Sequence, residues 1–364
     1  MSAPADADRR SVSPLRLIRY LALAYAALIV YASLHPFSGW RDGNLTPFSF
    51  LEACWPRYWT LFDIAANLLA YLPLGLLLAL ALRSGSEKRM PPSPAALLAA
   101  GIGTALSFCM ESAQTWLPTR VPSSLDLLCN SAGAALGALL AVVGGARLLT
   151  FIRRCQRWLA PIHDADIILV LIGFWLLAQL SPETLLFGAG NLRGLLDIPS
   201  PVDYDPSAFF AIETAIIACN MTAIGLIVRF LLAPQHRVLG PLIAFFALAM
   251  IVRALATAIL VEPAQAIVWL TPGAALGTMI GGALLSLLPL LPPRWQQALA
   301  ALFLMTGAVL INLAPPNPYS QAAMAAWQQG HFLNFNGLTR LIASLWPFLA
   351  LPCLTFLQRP RHLN

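Results

Sequence analysis

Residues 62–82 read FDIAANLLAYLPLGLLLALAL: one carboxylate, one amide, then an apolar run from Leu68 to Leu82. A hydrocarbon core about 30 Å thick takes about 20 residues at the helical rise of about 1.5 Å, so this stretch is long enough to cross a bilayer. Asp63 and Asn67 are four apart and share one helix face. The stretch therefore reads as a membrane-spanning helix that carries its polar groups at its first two turns.

Working outward, comparable apolar runs fall at roughly 15–34, 94–117, 125–149, 164–187, 206–232, 238–260, 265–290, 296–314 and 331–357, which makes about ten spans in all. The 364 residues are 59% hydrophobic and 10% charged, against about 25% charged in a soluble chain, which excludes a soluble globular protein. The expected fold is an all-α, polytopic transmembrane helical bundle whose constant partner is the lipid bilayer.

The net charge of +6 is a topology signal rather than a nucleic-acid face, because sixteen of the twenty-two basic residues fall in alternate connecting segments. One set holds Arg9, Arg10, Arg16, Arg19, Arg83, Lys88, Arg89, Arg147, Arg153, Arg154, Arg157, Arg229, Arg237, Arg294, Arg359 and Arg361. The intervening loops hold Arg41, Arg57, Arg120 and Arg193, with acids such as Asp42, Glu52, Glu183, Asp197, Asp203 and Asp205. By the positive-inside rule both termini are expected to be cytoplasmic, with tails at 1–14 and 358–364. The six cysteines show no paired spacing, so no disulfide framework is implied. Val30-Tyr31-Ala32 has the outline of a signal cleavage site, but a first run of about 20 residues reads as a retained helix.

Several short matches recur in order at near-constant offset. Ala32-Ser33-Leu34-His35-Pro36 compares with Ala178-Gln179-Leu180-Ser181-Pro182, and Phe62-Asp63 with Gly75 compares with Ile212-Glu213 and Gly225. Glu111-Ser112-Ala113-Gln114 compares with Glu262-Pro263-Ala264-Gln265, and the glycines of Gly133 and Gly137 with Gly273 and Gly277. The expected organisation is a four-helix unit at 15–149, a degenerate four-helix copy at 164–290, and a partial third unit of two helices at 296–357. The Gly pairs, four apart, are read as close helix packing.

Ionisable residues at membrane depth are costly and mark candidate sites. In the first unit Asp63 and Asn67 begin the second span, Glu111 and Gln114 end the third, and Asp126 and Asn130 begin the fourth. With Arg120 in the connection between them, all seven are expected at the external end of the bundle. Arg120 is the fixed positive charge available to Asp63, Glu111 and Asp126 there, and a guanidinium fork suits carboxylates. Three readings stay open: a structural clamp of helix ends, a ligand-binding cluster, or catalysis with Glu111 or Asp126 as acid/base and Arg120 stabilising an anion. In the second unit Arg253 lies inside a span and is expected to pair with Glu213 or Glu262. The five histidines are scattered, and no Walker loop, nucleophile elbow or dinucleotide fingerprint occurs, so no metal and no cofactor is expected.

Asp63-x-x-x-Asn67, Leu72-Pro73-Leu74-Gly75, Glu111-x-x-Gln114, Arg120, and Asp126-x-x-x-Asn130 with Gly133 and Gly137 resemble the signature of VanZ-like membrane proteins. The resemblance covers residues 15–149. It implies an accessory role at the bacterial cell envelope, in the cytoplasmic (inner) membrane, and connects the chain to glycopeptide (teicoplanin) resistance with an envelope lipid or glycopeptide as ligand. No agreed activity attaches to the family. The second unit departs from the signature: Ile217 stands where Asn67 would, and Arg120, Asp126 and Asn130 have no clear counterparts. Transport or lipid flipping through the repeat interface, and an intramembrane enzyme acting on an envelope lipid, are the alternative readings.

Overall fold

The computed structural model describes residues 14–41, 46–52, 59–83, 90–160, 162, 165–181, 183–233, 238–260, 263–315 and 333–356. Its long helices are α1 (Pro14–Leu34), α2 (Leu61–Leu82), α3 (Pro92–Gln114), α4 (Ser124–Gln156), α5 (Ala165–Ala178), α6 (Pro206–Leu231), α7 (Leu239–Leu260), α8 (Pro272–Leu287), α9 (Pro293–Leu313) and α10 (Leu333–Phe356). Among the described residues nine of these are long and apolar enough to cross a membrane, α5 being the short one. The chain divides into two compact units, one spanning Ser13–Gln156 and the other built on Arg157–Asn364.

In the first unit the helices meet through small residues. Lipid tails are as apolar as leucine, so membrane helices associate by close packing rather than by hiding from water. The buried face of α4 runs through Asn130, Gly133, Ala134, Gly137, Ala138, Ala141 and Gly145, at the three- and four-residue steps of one helix stripe. A Cβ added at Gly133 or Gly137 would run into the carbonyl of Leu68 or Leu72 on α2, and one at Gly75 into the carbonyl of Ala134. The α2 and α4 backbones are therefore in contact. The α3 stripe of Ala95, Ala99, Gly103 and Ser107 closes on the same seam. Leu69, Leu97, Leu139 and Val143 point outward and are exposed, as lipid-facing residues are.

The ends of these helices follow from local chemistry. Thr60 and Asp63 form a capping box at the start of α2. At 33 residues α4 is about 50 Å long, and it continues past the expected end at 149 to Gln156, with Arg153 and Arg154 in its last turn. Arg83, just beyond α2, donates to the Ala141 carbonyl at 2.7 Å.

The second unit is organised by large side chains. Trp175 stacks on Phe187 and Phe245, Phe246 meets all three rings edge-on, and Trp175 is fully buried. Helix α6 is buried on nearly all its faces and packs mainly against α8 and α9, which is where a helix apolar all round belongs. The Gly273 and Gly277 steps of α8 sit on Glu213, Thr214 and Ile217 of α6, so the expected tight glycine contact recurs in this helix pair. Helix α9 also packs through small residues, Ala300, Gly307 and Ala308, with Gly307 against Asn220 of α6, while the aromatic group joins α5 to α7.

The expected fifth span at 164–187 differs from the structure. Helix α5 has 14 residues, about 21 Å, and the chain then runs irregularly while staying buried at Gln179, Ser181, Leu186, Phe187 and Ala189. Irregular backbone at membrane depth is tolerated only where protein groups satisfy it. Gln179 accepts the Phe187 N–H at 3.2 Å, and Asn312 donates to the Gly190 carbonyl at 2.7 Å. Arg253 donates to the Ser181 and Thr184 carbonyls. The apolar run is interrupted by Gln179, Ser181, Pro182 and Glu183, a proline disfavours helix at the residue before it, and this set of tertiary partners satisfies the non-helical chain that follows.

Candidate functional site

The polar residues of the first unit gather at the end of the bundle where α1 ends, α2 begins, α3 ends and α4 begins. On α2 the Asp63 carboxylate accepts from the Thr60 N–H at 2.9 Å and from its hydroxyl at 2.8 Å. One turn on, the Asn67 side chain hydrogen-bonds the Asp126 carboxylate, and Asp63 and Asp126 repel each other across the gap. On α3 the buried Glu111 accepts the Ser123 backbone N–H at 2.8 Å. The Ser123 hydroxyl in turn accepts the Leu125 N–H at 3.2 Å, opening α4. The Asn130 amide donates to the Ser107 hydroxyl at 2.9 Å across the α3–α4 seam.

Arg120 takes a different part from the carboxylate fork expected of it. Its guanidinium donates to the Ala32 carbonyl at 2.8 Å and the His35 carbonyl at 3.1 Å, and among the described residues it makes no ion pair. The last carbonyls of α1 lack partners within their own helix, and a cation there both bonds them and meets the negative end of the helix dipole. Gln114 does the same at the Ser33 carbonyl, at 3.0 Å. Burial lowers the Arg120 pKa from its ordinary value, and the Glu111 charge opposes that shift. Arg120 therefore fastens α1 and lends its field to Glu111 without contacting it.

Three carboxylates lie in one connected set: Glu111 feels Asp126, and Asp126 feels Asp63. Arg120 is a cation whose charge reaches Glu111 in this set. Inside it the Asn130 Oδ1 is buried with no hydrogen-bond partner among the described residues, and the buried Tyr71 hydroxyl lies beside Ser107 and Glu111 without a hydrogen bond of good geometry. Buried polar atoms left so are costly, about 1–3 kcal/mol each, and require an explanation such as water or a ligand. Neither Tyr71 nor Ser107 was expected. The signal was present in the four-residue step: Asp63, Asn67 and Tyr71 form one ladder on α2, Ser107 and Glu111 another on α3, and Asp126 and Asn130 a third on α4.

Just outside the ladder, the Tyr31 ring lies tilted against His35 and Phe37 with centroids 5.3 and 5.5 Å apart, and Phe37 and Trp40 are exposed. This aromatic group has the character of an interfacial anchor. Among the described residues no three of His, Cys, Asp and Glu come together as a metal ion would need.

In the second unit Glu213 and Arg253 take different partners. Glu213 accepts from the Thr271 hydroxyl at 2.8 Å, and Thr271 caps α8. Arg253 is buried and serves the Ser181 and Thr184 carbonyls. Glu262, the other partner expected for it, lies outside the described residues.

Residues 18–147 match the family model described as VanZ/LLP1. No curated protein and no solved structure matches the chain.

Proposed function

Starting from a VanZ-like membrane protein whose VanZ-like unit occupies residues 18–147, we propose that its polar helix ends bind an envelope ligand on the outer side of a bacterial cytoplasmic membrane. The role is accessory rather than catalytic. The ligand presents a polar or cationic group, and a glycopeptide such as teicoplanin or a lipid-linked envelope molecule has that chemistry.

The observation that supports this most is the set of three carboxylates, Glu111 buried and Asp63 and Asp126 half-buried, beside the Tyr71 hydroxyl and the buried Asn130 Oδ1, which has no hydrogen-bond partner among the described residues. A clamp would satisfy its own groups. This cluster sets three carboxylates beside a buried amide oxygen with spare hydrogen-bonding capacity, which is what a cationic or hydroxylated ligand group needs. The basic residues Arg83, Arg147, Arg153 and Arg154 lie at the other ends of α2 and α4, which supports an outward-facing cluster by the positive-inside rule. Cytoplasmic placement of both termini needs an even number of crossings, so α5 and the buried segment after it count as one crossing together. The glycine contact shared by α2/α4 and α6/α8 supports an internal duplication that kept the packing and lost the carboxylate ladder.

The test is growth inhibition by teicoplanin in a susceptible Gram-positive host expressing wild type, Glu111→Gln or Arg120→Ala at matched membrane levels. Protection by wild type that Glu111→Gln loses while still folded supports the reading. Absence of protection by well-expressed wild type removes the glycopeptide as ligand.

A further inference from the structure

The second unit contains a cavity of about 580 Å³, bounded by the segment 183–200, the start of α6, the end of α9 and the side of α10. Its volume lies within the ~300–1,000 Å³ of small-ligand sites. None of its residues belongs to the VanZ-like unit.

Its lining is divided. Phe209, Ile311, Ala343 and Leu185 supply apolar wall, while Glu183, Asp197, Arg193 and Arg340 supply two acids and two guanidiniums. Arg340 meets Asp197 at 3.0 Å and also holds the Gly194 carbonyl. Arg193 donates to the Ala314 carbonyl at 2.6 Å, and its backbone N–H is held by Asn312 at 2.8 Å. The Arg193 Nε is buried with no hydrogen-bond partner among the described residues, leaving a donor in reserve. Ile198 lines the cavity as an exposed apolar residue, and Leu196 and Val202, close to it in the chain, are exposed as well, giving this segment an apolar rim.

From this arrangement we infer that the cavity binds the headgroup of a zwitterionic amphiphile, an anionic phosphoryl or carboxyl group toward Arg193 and Arg340 and an ammonium toward Glu183 and Asp197. Charges of both signs discriminate against a ligand of either sign alone, since a simple anion meets Glu183 and, at the exposed edge, Asp197, while a simple cation meets the two arginines. The guanidiniums are fastened to backbone carbonyls and are therefore held in place before a ligand arrives, which lowers the ordering cost of binding. The cavity accommodates a headgroup but not two acyl chains, which the apolar rim would guide back into the bilayer. A zwitterionic phospholipid and a small soluble zwitterion share this chemistry.

The full-length protein, purified in detergent, is incubated with equimolar phosphatidylethanolamine, phosphatidylglycerol and a cationic diacyl lipid, and bound lipid is read by native mass spectrometry. Wild type is expected to retain phosphatidylethanolamine severalfold over both singly charged lipids. Glu183→Gln and Asp197→Asn, which keep side-chain size and, for Asn, tolerance of the left-handed backbone at φ 52°, are expected to erase that preference while keeping the wild-type melting temperature. Competition by glycerophosphoethanolamine assigns the site to soluble zwitterions, and its absence assigns it to the lipid. Equal retention of all three lipids by wild type, or an unchanged preference in both folded variants, overturns the inference. Neither result bears on the carboxylate ladder of the first unit.

Discussion

Glu111 accepts the backbone N–H of Ser123, twelve residues along the chain, at 2.8 Å. The bond ties the end of α3 to the start of α4 and leaves a carboxylate inside the bundle. One residue thus carries both a structural bond and a charge, and the two are separable by substitution. Glu111→Gln retains an oxygen for the Ser123 N–H and is expected to melt close to wild type. Glu111→Ala orphans a buried donor and is expected to lose about 1–3 kcal/mol, seen as a lower melting temperature in detergent. A loss of function common to both variants then belongs to the charge.

Backbone contact between α2 and α4 makes their glycines unequal. Gly137→Ala places a methyl against the Leu72 carbonyl and is expected to cost at least about 1–3 kcal/mol through helix displacement. Gly144→Ala on the same helix meets nothing within 4 Å and is expected to be neutral or to gain about 0.5–1 kcal/mol. Paired thermal melts read the contrast directly.

Arg253 satisfies the irregular segment after α5. Arg253→Leu leaves the Ser181 and Thr184 carbonyls without their donor, at about 1–3 kcal/mol for each that stays buried. Arg253→Lys supplies one point of contact in place of a fork and is expected to fall between wild type and Leu. Protease sensitivity within 179–190 should rise in the same order.

Asp205 caps α6 by accepting the Ala208 N–H at 2.8 Å and a hydroxyl bond from Ser207, which lower its pKa from the ordinary value. A depressed folded pKa means that the ionised cap stabilises fully above the unfolded carboxylate pKa of about 3.9 and loses that contribution as pH falls through the lower folded value. The melting temperature of Asp205→Ala is therefore expected below that of wild type near neutral pH, with the gap narrowing in strong acid. A gap independent of pH would argue that the carboxylate charge plays no part in the cap.

Much of the first unit was legible because its signals are local. The run 62–82 became Leu61–Leu82, and the four-residue polar steps became ladders facing one another. What could not be read was which acceptor each cation chooses. Arg120 and Arg253 were both expected on carboxylates, and the structure puts both on backbone carbonyls, at the end of α1 and after α5. Backbone acceptors carry no residue identity, so nothing in the sequence marks them. The early end of α5 was marked by Ser181-Pro182-Glu183, but nothing in the sequence says that Gln179, Asn312 and Arg253 satisfy the non-helical chain that follows.

The proposal for the carboxylate ladder requires that this end of the bundle open to the outside of the cell. Val121, beside Arg120, is 84% exposed, and Phe151, near the other end of α4, is 63% exposed. Val121→Cys and Phe151→Cys, each placed in a cysteine-free background, report the two ends to a membrane-impermeant maleimide. The account predicts labelling of Val121→Cys in intact cells and of Phe151→Cys only after permeabilisation. The reverse pattern would contradict it, because an inward-facing ladder has no access to an external envelope ligand.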